Sequence, residues 1–141
     1  MSAEVICERL SIDSVASDTG LDVTRTIPDD AATPRCSYEY TNDDDSVSGL
    51  TVSVMRSEDV DGLTGSDAFD RVVEVNTSEA GGQVETQEVS AGDAAIRISG
   101  SSTHVGVVLL GDRVLTVVIP AADVGTDAVD RLITTMATTL G

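Results

Sequence analysis

The chain has 141 residues, the length of one domain, and its 25 acidic against 8 basic residues, all of them Arg, leave a net charge of −17. Hydrophobic residues at 40% suffice for one core, so wholesale disorder is not expected, and the aromatics stop at Tyr38, Tyr40 and Phe69. A field of that sign repels phosphate backbones and anionic lipid, which argues against nucleic-acid or membrane-surface binding.

In chain order, residues 4–19 carry Val5, Ile6, Leu10, Ile12, Val15 and Ala16 at helical spacing. Ser11 can cap a helix that Gly20 ends, so two short helical turns bent near Ser11 are expected. Thr24 to Ile27 reads as a strand closed by the turn cluster Pro28-Asp29-Asp30. Arg35 to Tyr40 and Leu50 to Met55 alternate as strands, joined by a polar hairpin loop at Asn42-Asp43-Asp44-Asp45. Ser66 is the expected N-cap of a helix bearing Phe69, Val72, Val73 and Asn76 on one face, with Gly81-Gly82 ending it.

The second half is β-rich. Val84 to Val89 alternates, Ala91-Gly92-Asp93 turns the chain, and Ala95 to Ile98 follows. Val105 to Leu110 and Val114 to Ile119 are joined by Gly111-Asp112, which suits a II′ hairpin. Both runs are nearly continuous in Val, Leu and Ile, so they should be central strands covered on both faces. Thr126 is the expected cap of a last helix with an apolar stripe of Val129, Leu132, Ile133, Met136 and Leu140. The order helix, three strands, helix, four strands, helix predicts a single α+β domain over residues 1–141, a two-layer fold with an antiparallel sheet covered by helices.

Cys7 and Cys36 belong to no close pair, and only His104 adds another soft ligand, so no metal site is expected. In a reducing compartment both thiols would be small buried hydrophobes; in a secreted chain they would form a disulfide. The flanking patterns favour the disulfide, because they place one cysteine on a helix and the other on a strand that helix can cover. The N-terminus has no charged or strongly apolar leader, and no 18-residue apolar run occurs, so no direct membrane insertion is expected. The expectation is a soluble mature domain whose signal or lipobox segment lies outside the given sequence.

No constellation of reactive residues stands out. Ser57, Asp59, Asp61 and Gly62 match positions 1, 3, 5 and 6 of a calcium loop, but Ala68 falls where the bidentate Glu belongs, so a solvated loop is expected. His104 follows a small-residue loop and reads as exposed. The G-x-S-x-G elbow of a serine hydrolase is missing. Asn76-Thr77-Ser78 matches a glycosylation sequon, a pattern short enough to arise by chance.

The assembled pattern resembles the small secreted or lipid-anchored domains of unknown function from high-GC actinobacteria, the lipoproteins of mycobacteria and corynebacteria among them. Cys7-Glu8-Arg9-Leu10 is similar to that family's opening helix, and Cys36-Ser37-Tyr38 to its second cysteine followed by an aromatic. Ser90-Ala91-Gly92-Asp93-Ala94-Ala95 resembles its glycine-acid-alanine turn, and Gly111-Asp112-Arg113-Val114-Leu115 its late hairpin. The chain departs from the pattern in having no tryptophan near Cys36 and no lipidation segment. The resemblance implies an extracytoplasmic α+β domain with a Cys7–Cys36 disulfide and implies no activity. The expected function is therefore a secreted or envelope-associated, non-enzymatic module that binds an envelope protein or cell-wall component. No catalytic residue, metal or cofactor is assigned. A small-ligand carrier, an acidic mimic of nucleic acid and a hydrolase with an unrecognised site stay open as alternatives.

Overall fold

A computed structural model describes residues 1–80 and 83–141. The chain opens with helices α1 (Ala3–Arg9) and α2 (Ile12–Thr19). Ser2 and Ser11 accept from the N–H groups of Val5 and Ser14, and Gly20 ends α2 in the left-handed region at φ 74°. The expected bend at Ser11 is therefore a double cap: its side chain starts α2 just after α1 has run out.

Strands β1 (Asp22–Asp29), β2 (Arg35–Thr41) and β3 (Val47–Met55) follow as antiparallel hairpins. A 3-10 turn at Ser57–Val60 leads into α3 (Gly65–Ala80). Strands β4 (Glu85–Glu88), β5 (Ala94–Ser99), β6 (Thr103–Leu110) and β7 (Arg113–Pro120) form a second meander before α4 (Thr126–Thr139). All seven strands share one sheet, in the order β1-β2-β3-β7-β6-β5-β4, with every described pairing antiparallel. The two meanders meet where β3 pairs with β7, so the α3 crossover carries the chain from the middle of the sheet to its far edge.

Several boundaries differ from the sequence expectation for identifiable reasons. β1 continues through Pro28 to Asp29 instead of turning there, because an edge strand loses no ladder bond at a residue without an N–H. α3 begins at Gly65, one residue before Ser66, and α4 takes Gly125 as its N-cap, leaving Thr126 as the first helical residue. β4 is only four residues long and wholly exposed, as befits the other edge. The expected stop at Gly81-Gly82 lies outside the described residues. The β6–β7 turn has the expected geometry, with positive φ at Gly111 (60°) and not at Asp112.

The two-layer expectation holds over only part of the sheet. On one face α1, α2 and α4 cover the main core, which includes Ile6, Leu10, Cys36, Tyr38, Leu50, Val52, Val108, Leu115, Val117 and Ile133. Strand side chains alternate between faces, so Val105, Val107, Leu109 and Val114 point the other way. There they meet Ala68 and Val72 of α3 in a second core. Over β5–β7 the fold thus has three layers, as the near-continuous apolar runs of β6 and β7 demand. Over β1–β3 no described helix covers that second face, apart from the end of β3, where Met55 packs against the second core. The cross-strand row on that face runs Ile27, Ser37, Thr51, Val118, and both apolar ends are more than a third exposed, at 38% for Ile27 and 39% for Val118.

Candidate functional site

The expected pairing of Cys7 and Cys36 is present, with their Cα atoms 5.5 Å apart. It joins α1 to β2, the helix-on-strand placement the flanking patterns suggest. Two more tethers hold the same helix. The Tyr38 hydroxyl, two residues past Cys36 and therefore on the same face, donates to the Leu10 carbonyl at 2.6 Å. The Ala3 N–H donates to Asp30 Oδ1 at 2.9 Å. The Leu10 carbonyl is one of the groups a helix end leaves unpaired, so Tyr38 caps α1 from inside the core. Tyr40, next along that face, donates to Asp123 Oδ2 at 2.6 Å, tying β2 to the loop before α4. Burial pushes both phenols well above their ordinary pKa of 10.0; for Tyr40 the bond to Asp123 adds to the effect.

Several of the carboxylates hold loops. Asp29 accepts from the Ala31 N–H, Asp93 from the Gly111 N–H, and Asp59 from both the N–H and the guanidinium of Arg56. The Asp93 contact brings together the Gly92-Asp93 turn and the Gly111-Asp112 hairpin, which are far apart in sequence. Gly92 is needed there: it sits at φ 56°, and a Cβ would fall 2.6 Å from the Leu109 carbonyl. Hydrogen bonds from the Ala31 N–H and from Arg35 hold the Asp29 carboxyl below its ordinary pKa, and Arg25 does the same for Glu39.

The calcium-like segment is not assembled as a cation loop. It forms the 3-10 turn, with Asp59 committed to Arg56. Asn42, Asp43 and Asp44 of the acidic hairpin border an open groove of about 580 Å³, together with Asp22 and Asp123. Within it, Asp44 accepts from the Ser46 hydroxyl and N–H, which lower its pKa. Among the described residues no group of three or more His, Cys, Asp or Glu is placed to hold a metal ion. The sequon Asn76 lies within α3, its side-chain amide donating to the Val72 carbonyl at 2.8 Å.

His104 departs most from the sequence reading. It lies on β6, not in an exposed loop, and only 7% of it is accessible. Register pairs it with Ser99 of β5, and its Nδ1 lies 2.8 Å from Ser99 Oγ. Its Nε2 lies 3.3 Å from the Val124 carbonyl, just before α4. On the same face of β5, two residues before Ser99, Arg97 is 5% exposed, its Nε donating to Asp130 Oδ1 of α4 at 3.0 Å. Arg97, Ser99, His104 and Asp130 thus gather polar chemistry under the first turns of α4. Alternation along β5 could have paired Arg97 with Ser99, but only the β5–β6 register adds His104. Ser99 and His104 border an open depression of about 900 Å³, whose rim includes Gly100, Ser101, Glu85 and Thr126. No protein-family model, no curated protein and no solved structure matches this chain.

Proposed function

We propose that the chain is an extracytoplasmic, envelope-associated domain that works as a binding module for an envelope protein or cell-wall component. The observation that carries this reading is the Cys7–Cys36 disulfide, which locks the first helix onto the sheet and is the kind of crosslink that persists in oxidising compartments. The resemblance of the two cysteine motifs and the two glycine-acid turns to actinobacterial secreted and lipoprotein domains supports the same placement. The largely bare, hydroxyl-lined face of β1–β3 offers a flat surface for a partner, with ion pairs Arg25–Glu39 and Arg35–Asp29 at its outer strands. A carrier role gains no support where α4 meets the sheet. A Cβ at Gly106 would fall 2.6 Å from Ile133 Cγ1 and 2.8 Å from Val117 Cγ1, so the two layers are in direct contact there.

The test is to block free thiols in intact actinobacterial cells expressing the chain from its own gene, then locate Cys7 and Cys36 by mass spectrometry. A disulfide-linked peptide pair in the envelope fraction, with co-sedimentation on isolated cell-wall material, is expected. Two alkylated thiols in the cytoplasmic fraction would overturn the placement.

A further inference from the structure

We propose that Ser99 and His104 form a nucleophile–base pair able to hydrolyse small acyl esters in the depression at the start of α4. This goes beyond the binding role and stands or falls separately from it. The Val124 carbonyl can only accept, so the 3.3 Å contact puts the ring proton on Nε2. Nδ1 is then left as the acceptor, and the Ser99 hydroxyl, 2.8 Å away, donates to it. The serine is thereby paired with a base whose orientation is set by a third group, the arrangement an activated serine needs. Both residues line the 900 Å³ depression, so an ester can reach Oγ. Thr126, on the same rim, opens the 14-residue helix α4, and its N-cap Gly125 makes no side-chain capping bond. The first-turn N–H groups therefore remain available to a developing oxyanion.

In the reaction Oγ bonds to the acyl carbon while its proton passes to Nδ1. The ester C–O bond then breaks, and the departing alkoxide takes that proton. Water, deprotonated in turn by Nδ1, bonds to the acyl carbon; the acyl C–Oγ bond breaks, Oγ takes back the proton held on Nδ1, and the free acid leaves.

The probes are a fluorophosphonate, whose P–F bond breaks as Oγ–P forms, and p-nitrophenyl acetate. The expected result is one adduct, mapped to Ser99 by mass spectrometry, and ester turnover lost in Ser99→Ala. In His104→Gln, which retains a donor for Val124 but no base, labelling should slow by about 100-fold or more with the unfolding temperature little changed. Wild-type protein left unlabelled at Ser99, labelling at Ser101 or Ser102 instead, or equal rates in folded His104→Gln would each overturn the proposal. If His104→Gln does not fold, the wild-type and Ser99→Ala results decide it alone.

Discussion

Removing the Cys7–Cys36 crosslink tests the account of the N-terminal half most directly. The bridge spans 29 residues, and the loop entropy it removes from the unfolded chain corresponds to about 3.6 kcal/mol at 25 °C. Unfolding entropy of about 2.1 cal/mol/K per residue gives the 141-residue chain about 0.3 kcal/mol/K, so the loss should lower Tm by about 12 °C. The fold itself should survive. The Tyr38–Leu10 and Ala3–Asp30 hydrogen bonds still hold α1, and Ile6 and Leu10 stay buried against the sheet. Calorimetry on oxidised protein, reduced protein and Cys7→Ala/Cys36→Ala measures this. The reduced wild type isolates the crosslink from any cavity the alanines leave in the core. A drop under about 3 °C in the reduced protein would rule out a loop-entropy origin for the stabilisation, since it would mean that the unfolded chain gains almost nothing when the loop opens.

Four further outcomes follow from the packing and the ionisations. Because burial raises the folded pKa of Tyr38 and Tyr40 above the ordinary 10.0, their contribution to stability is complete below pH 10 and is lost as pH climbs through the folded values. Absorbance near 295 nm, free of tryptophan, should therefore show both phenols ionising only with cooperative alkaline unfolding, and a simple titration near pH 10 would contradict their burial. Tyr38→Phe, which strands the Leu10 carbonyl, should cost about 1–3 kcal/mol in denaturant unfolding. Gly106→Val should cost about 1–3 kcal/mol by driving into Ile133 and Val117, whereas Gly49→Val, on the exposed side of β3 with only an ordinary 3.6 Å neighbour, should be neutral or stabilising; equal effects would refute the packing. Glu39 has its folded pKa depressed, chiefly by the hydrogen bond from Arg25, so its contribution is present above the ordinary value of 4.5 and lost as pH falls through the folded value. An NMR titration should place its midpoint below 4.5, moving back up in Arg25→Gln.

Local chemistry made much of this fold legible in the sequence. Ser11 and Gly20 bound α2 because a serine oxygen and a residue free to take positive φ satisfy helix ends wherever they occur. Alternation along Arg35–Tyr40 put Cys36, Tyr38 and Tyr40 on one face, and with the helical spacing around Cys7 it made the disulfide a reasonable expectation. The near-continuous apolar runs of β6 and β7 declared strands covered on both sides. Which helix covers which side was not legible, because an apolar stripe specifies that a helix packs and not on which face. Only the crossover from β3 to the far edge at β4 put α3 opposite α4, leaving one face of β1–β3 largely bare. The Ser99–His104 pair was hidden for a related reason. Their contact depends on the β5–β6 register and on Val124 arriving from the loop before α4, and a chain read residue by residue contains neither.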